Sequence, residues 1–332
     1  MSRKLKALVL PPAARLDMVC STACRRLLEQ ECDPVWNETG ADYTPEQLSP
    51  LLSDAELILT SWGSPLLTEE LLREAPRLRY IAHAAGTLKR RVPDNVLESG
   101  RVRLFSAAPR IARSVGEYCL AALLHLLWRF PQMDAQVRSG LWKNGALGRE
   151  LRDQTVGIVS ASSTARAFID LLQPFGVHIR VYDPFLSPAA AEQLGVVIVS
   201  LEDVMQCPII SVHAPSLPET KGLLTAELLR LIPDGAIFIN SSRGAVLDEA
   251  ALTAELATGR FVAALDVLQQ EPPQPDHPLF GLDHVLLTPH IAGMTVEGCL
   301  SLMEEVLLDV LRAERGETTR YEIKAQAWAV MA

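Results

Sequence analysis

The chain has 332 residues, 48% of them hydrophobic, and its 31 basic against 40 acidic residues give a net charge of -9. That length predicts two domains around a substantial buried core. The acidic balance, with no stretch rich in Lys and Arg, argues against a nucleic-acid partner, whose phosphates need clustered cations.

The N-terminal segment MSRKLKALVLPPAARLD places basic residues before an apolar run, but ALVL ends at two prolines and is too short for a secretory h-region. It predicts a first strand instead. The six cysteines, Cys20, Cys24, Cys32, Cys119, Cys207 and Cys299, form no CxxC pair and have no histidines at metal spacing. They predict free thiols in a reducing cytosol, hence a cytoplasmic protein without a metal site. Cys20 and Cys24, four residues apart, are expected to share one helical face as small packing residues.

LKALVL at 5–10 and AELILT at 55–60 read as short buried strands and TEELLREA at 68–75 as a helix. RLRYIAHAAG at 77–86 and RVRLFSA at 101–107 read as strands again. Short strands alternating with helices predict a parallel α/β sheet. A long helix is expected near 114–130; its apolar part, YCLAALLHLLWRF, is shorter than the roughly 20 residues that span a bilayer. It predicts a core helix or an interface, not a membrane segment. TVGIV, HIRVYD, VVIVS, PIISVHA, AIFIN, FVAALDV and VLLTPH then succeed one another with helical or turn segments between them. Two successive runs of βα units predict two doubly wound lobes. From Thr295 onward, apolar residues at three and four spacing predict a closing helix.

Ligands of such sheets bind beyond the carboxyl ends of the strands. Three strand ends carry polar residues there: Arg243 in IFINSSRG, Asp266 in ALDVLQQEPP with Glu271 five residues on, and His290 in VLLTPHIAG. Singly, each has a plainer reading, as a surface ion pair, a solvated loop or a structural donor. Together they make a hydride-transfer set. Histidine titrates near neutral pH and moves a hydroxyl proton; a carboxylate beside it favours the imidazolium; arginine offers a planar fork to a carboxylate and a carbonyl oxygen.

At SVHAPSLPETKGLL, FINSSRGAVLDEAAL, ALDVLQQEPPQPDHPLF and LLTPHIAG, and more loosely at RIARSVGEYCLAALL, the sequence resembles the D-isomer-specific 2-hydroxyacid dehydrogenase family. The resemblance implies a Rossmann-type NAD-binding domain, 105–293, inserted into a flavodoxin-like substrate domain, 1–104 and 294–332. It implies an NAD-dependent oxidoreductase that moves a hydride between NAD(H) and a small 2-hydroxy or 2-oxo acid, working as a homodimer. Arg243 is then the substrate anchor, Glu271 the partner of the histidine and His290 the acid/base catalyst. Backbone amides of Ala85, Gly86 and Thr87 are expected to hold substrate, in a loop that keeps only Gly86 of the family's glycine-rich form. Trp62 reads equally as a pocket wall or as ordinary packing.

The phosphate loop also departs. Between TVGIV and the next helix stands SASSTA, so the positions of G-x-G-x-x-G hold Ser160, Ser162 and Ala165. A Cβ at a φ > 0 position costs roughly 1 to 2 kcal/mol, so restoring glycine at both serines is expected to tighten NADH binding about tenfold. Ser162, Ser163, Thr164 and Ala165 are expected at the pyrophosphate, and Asp183 on the adenosine ribose, favouring NAD over NADP. By resemblance, His213, Ala214, Pro215, Ser242, Arg243, Asp266, His290 and Gly293 line the dinucleotide, with Asp266 holding the nicotinamide amide. The two altered loops leave an alternative, a catalytically weak or inactive dinucleotide-sensing or scaffold protein on the same fold.

Overall fold

Short runs of Leu, Ile, Val and Ala that are apolar on both faces suit strands covered on both sides, and they form two all-parallel sheets in the computed structural model. The structure describes residues 3–89, 91–142, 145, 147–325, 328 and 331. The chain divides into two compact units, residues 1–111 with 294–332 and residues 112–293.

In the first unit β1 (Leu5–Val9), β2 (Cys32–Trp36), β3 (Leu57–Thr60), β4 (Tyr80–His83) and β5 (Arg103–Ser106) lie in the order β2-β1-β3-β4-β5. This is the doubly wound order of flavodoxin-like sheets. β2 has no counterpart among the strands expected from the sequence. Its CDPVW carries Asp33 and Pro34, which an edge strand accommodates because one side of its ladder needs no partner. Cys20 and Cys24 do not share a helix: Cys20 ends the helix Ala13–Val19, and Ser21 caps the next, Thr22–Glu31, by accepting the Cys24 N–H at 3.1 Å. Both thiols nevertheless pack in the core.

The helix Val296–Glu314 returns to this unit and buries Leu302, Met303, Val306, Leu307 and Val310 among β-strand residues such as Leu59 and Phe105. A fully buried carboxylate of this helix, Asp309, pins the chain beyond it by accepting the N–H groups of Arg320 and Tyr321 at 2.8 and 2.7 Å.

In the second unit β6 (Thr155–Val159), β7 (His178–Tyr182), β8 (Val197–Ile198), β9 (Ile209–Val212), β10 (Ile237–Asn240), β11 (Val262–Leu265) and β12 (Val285–Leu287) lie in the order β12-β11-β10-β9-β6-β7-β8. That is the Rossmann arrangement with one further strand, and its direction of winding switches between β6 and β9. Gly157 inside β6 serves packing: a Cβ there would lie 2.7 Å from the Val204 carbonyl oxygen, so only glycine lets the helix Leu201–Met205 approach. Among the described residues no helix is long and apolar enough to cross a membrane.

Each unit buries one neutral histidine at a strand end, His83 at the end of β4 and His213 after β9, both 2% exposed. Burial pushes each down to about 3, helped at His83 by the Arg91 charge. Unfolded histidine takes up its proton near pH 6.5, so between that value and about 3 the unfolded chain binds protons that the folded one refuses. Stability therefore falls with pH by about 1.4 kcal/mol per unit for each histidine. Lowering the pH from 6.5 to 5 is expected to remove about 2 kcal/mol from each unit. Urea midpoints across this range check it; a midpoint independent of pH is the contrary result.

Candidate active site

β10, β11 and β12 are neighbours, so the polar residues beyond their ends share one sheet edge. His290 Nδ1 lies 2.6 Å from Glu271 Oε2, and Glu271 Oε1 accepts the Leu268 N–H at 3.1 Å. The carboxylate thus fixes the tautomer and heading of an exposed imidazole, leaving Nε2 without a partner among the described residues.

The backbone of His290 is left-handed, with φ of 54°, a conformation that a non-glycine residue keeps only where its surroundings impose it. Asp266, 2% exposed at the end of β11, does this. Its main-chain oxygen accepts the His290 N–H at 2.8 Å. Its Oδ1 accepts from Thr288 Oγ1 at 2.6 Å and from the Ile291 N–H at 2.8 Å, and its Oδ2 accepts the Ala292 N–H at 2.8 Å. One buried carboxylate therefore holds the chain on both sides of His290, while Oδ2 keeps a lone pair for a further donor. Gly293 directly follows this anchored stretch.

Arg243 is exposed, and among the described residues its guanidinium meets only the Ser242 carbonyl, at 2.7 Å. Ser242 in turn donates its N–H and hydroxyl to Asn240 Oδ1 at 3.1 and 2.8 Å. Gly244, which no sequence motif singled out, sets the turn's position. It is buried with its backbone against Leu268, whose carbonyl group a Cβ there would strike. Gln269 ties the same two turns, donating its N–H to Glu249 Oε2 at 2.6 Å and its side-chain amide to the Leu247 carbonyl at 2.8 Å. The Arg243 turn and the Glu271 turn are thus one assembly.

At the switch point, the loop between β6 and the helix Ser163–Leu172 separates the roles of its two serines. Ser160 has φ of 73°, the left-handed value that a first glycine would take freely. Ser162 sits at φ -61° and needs no glycine. Asp183, just past β7, holds this loop: its Oδ2 accepts from Ser160 Oγ at 3.2 Å and the Ala161 N–H at 2.7 Å, and its Oδ1 accepts the Phe185 N–H at 2.8 Å. Ser160 is strained but bonded. Ser160→Gly is therefore expected to change NADH affinity less than threefold, relief of about 1 kcal/mol of strain offsetting a hydrogen bond of similar size. Ser160→Ala, which keeps the strain and loses the bond, is expected to weaken binding about fivefold, and Ser162→Gly to leave it unchanged. Titrating tryptophan fluorescence with NADH checks the three together, and tightening by Ser162→Gly is the contrary outcome.

His213 stands behind this loop with Nδ1 3.0 Å from Thr164 Oγ1 and Nε2 2.9 Å from Ser211 Oγ, so its ring supports the loop and has no nitrogen to spare. Ala214 beside it is buried and Pro215 half-buried. Ala165 is wholly buried, and the Ser162 and Thr164 hydroxyls lie 3.0 Å apart. The N–H groups of Ser163, Thr164 and Ala165, which lead the helix, have no acceptor among the described residues, and the Ser163 side chain is exposed. Free helix-leading donors suit a pyrophosphate, and the remaining lone pair of Asp183 Oδ1 suits a ribose hydroxyl. The residues present fit a dinucleotide.

In the first unit, Ala85, Gly86 and Thr87 lie just past β4. Their three N–H groups have no acceptor among the described residues, and a Cβ on Gly86 would meet nothing within 4 Å. Trp62, after β3, is half-buried and packs on the first unit's core.

Comparison with known proteins places the chain in a family. A family model described as D-isomer specific 2-hydroxyacid dehydrogenase, NAD binding domain, matches residues 120–292. The D-3-phosphoglycerate dehydrogenase of Mycobacterium bovis is 35% identical over 255 residues, 76% of this chain and 48% of that protein. Its counterpart in Mycobacterium leprae is 36% identical over 261 residues, 78% of this chain and 48% of that protein. The chain spans about half the length of these curated relatives. The crystal structure of a phosphoglycerate oxidoreductase from Rhizobium etli is similar with a TM-score of 0.83 and 28% identity, covering 97% of this chain and 99% of that one. With the family model matched over half of its length and relatives 35% identical over three quarters of it, the chain belongs to the D-isomer specific 2-hydroxyacid dehydrogenase family.

Proposed function

We propose that this chain is an NAD-dependent reductase of a small 2-oxo acid, acting in the cytoplasm as a homodimer. The observation that carries the reading is the 2.6 Å contact of His290 with Glu271 on a loop that Asp266 holds in place. Bound NADH supplies the hydride for C2. His290, its Nδ1 held by Glu271, gives the proton on Nε2 to the oxygen that gains charge. Arg243 offers its free fork to the carboxylate and the carbonyl oxygen. The unpaired N–H groups of Ala85, Gly86 and Thr87 are assigned to a substrate carboxylate, Trp62 to the wall beside it and Asp183 to the ribose. No observation favours a non-catalytic sensor, which has no need of a strained histidine held against a carboxylate. NADH oxidation with glyoxylate, pyruvate, hydroxypyruvate and bulkier 2-oxo acids tests the reading. Turnover of at least one is expected; well-folded protein that turns over none of them contradicts it.

A run of exposed apolar side chains supports the homodimer: Trp128, Phe130, Val137, Leu141, Trp142 and Leu147 are 48% to 82% exposed, and the helix Phe130–Arg138 buries none of its residues. Concentrated apolar exposure of this kind marks a protein contact. Leu141→Glu with Trp142→Glu is expected to convert a dimer to a monomer in light scattering, and a wild-type monomer contradicts the assignment.

A further inference from the structure

The loop after β4 departs from glycine-rich composition, yet the first unit gives it a support of its own. Ser61, fully buried after β3, donates its hydroxyl to the Ala84 carbonyl at 3.1 Å. Ser106, 1% exposed at the end of β5, shares its single hydroxyl proton between the Gly86 carbonyl and, at 3.3 Å, the Ala85 carbonyl, while its oxygen accepts the Ala108 N–H at 3.1 Å. The stretch enters through the Ala84 N–H on the Thr60 carbonyl at 2.8 Å.

Three consecutive carbonyls are therefore held from the strands on either side of β4. A trans peptide is planar, with the C=O of one residue antiparallel to the N–H of the next. Fixing the carbonyls of Ala84, Ala85 and Gly86 fixes the N–H groups of Ala85, Gly86 and Thr87, and these are the three without an acceptor among the described residues. Because Ser61 and Ser106 hold these carbonyls from opposite sides of β4, only the Gly86 and Thr87 N–H groups share a heading, and we infer that Ser106 is a positioning residue that aims these two at the substrate carboxylate while Ser61 fixes the entry of the same loop. They do here what extra glycines do not, holding a loop of ordinary residues in one donor-presenting shape; the inference rests on the proposed 2-oxo acid function.

Each hydroxyl acts on substrate binding, not on hydride or proton transfer, so the two are separable. Ser106→Ala and Ser61→Ala each remove one buried oxygen without adding volume. Ser106→Ala, which frees two carbonyls, is expected to raise KM for a 2-oxo acid about tenfold, and Ser61→Ala about threefold. In both, kcat and the NADH dissociation constant are expected to stay within threefold of wild type. A merely structural role would lower Tm without this split. The direct reading is titration with oxamate, a 2-oxo carboxylate analogue that takes no hydride, in the presence of NADH. Parallel tenfold and threefold weakening supports the positioning role; unchanged oxamate affinity in both variants, or a wild type that binds no oxamate, overturns it. A wild type that binds oxamate but reduces no 2-oxo acid refutes the reductase reading instead, and the oxamate ratios alone then decide the role of the serines.

Discussion

With His290 replaced by glutamine, kcat for 2-oxo acid reduction is expected to fall roughly 10²- to 10⁴-fold, the range associated with loss of a positioned general acid. NADH affinity is expected to change little, because the main-chain bond from residue 290 to the Asp266 oxygen, at 2.8 Å, and the anchoring of Ile291 and Ala292 do not involve the imidazole. Glutamine fills a similar volume but has no proton to give at the reacting oxygen. Glu271→Gln is a gentler change: an amide oxygen still accepts from Nδ1 at the place where Oε2 lies 2.6 Å away, but it carries no charge. A loss of about tenfold is expected there, since charge-assisted hydrogen bonds are roughly twice as strong as neutral ones. Steady-state rates for both variants, with Tm measured alongside, check the pair. A His290→Gln protein with near wild-type kcat removes histidine from the chemistry.

Gly244→Ala is expected to have the other large effect, through packing. The added methyl would strike the carbonyl group of Leu268, which is backbone and has no rotamer to yield. Either the turn bearing Arg243 or the turn running to Glu271 must move. Overpacking of this kind costs about 3 kcal/mol, a fall in Tm of roughly 6 to 12 °C for a unit of this size. The displaced guanidinium is expected to lower kcat/KM by about 100-fold, because a misplacement of about 1 Å has that effect in a positioned site. Thermal unfolding and kinetics of the variant measure both parts. Retention of Tm and kcat/KM within twofold is the contrary result.

The part of the structure legible in the sequence is local. LILT, IFIN and TVGIV are short and apolar enough to suit strands buried on both faces, and two runs of βα units point to two wound sheets. Arg243, Asp266, Glu271 and His290 stood out because charge at the end of a buried strand is costly without a task. CDPVW was not legible as β2, since Asp33 and Pro34 are tolerated only on an edge that cannot be recognised before the sheet is assembled. The long helix begins at Ala108, earlier than its apolar run suggests, because Pro109 is admissible in a first turn and Ser106 Oγ accepts the Ala108 N–H. VVIVS contributes only Val197–Ile198, both exposed on the other edge.

The contacts that organise the site were the illegible part, because they join residues far apart in the chain. Nothing in SASSTA announces that Asp183, more than twenty residues on, holds Ser160 and Ala161, or that only Ser160 takes a left-handed backbone. Nothing in SSRGAV announces that Gly244 lies against Leu268. The support of the loop after β4 by Ser61 and Ser106 depends on β3, β4 and β5 being neighbours. These pairings become visible only once the sheets order the strands.

The most direct test of the central claim tracks the hydride itself. NADH carrying deuterium at the transferable C4 position is incubated with wild-type protein and a 2-oxo acid that it turns over, and the product is examined by mass spectrometry and chiral chromatography. The expected result is one deuterium at C2 of a D-2-hydroxy acid, with labelled product reduced about 100-fold or more in the His290→Gln reaction over the same time. Product without deuterium at C2, or no product from any 2-oxo acid, would contradict hydride transfer at this site.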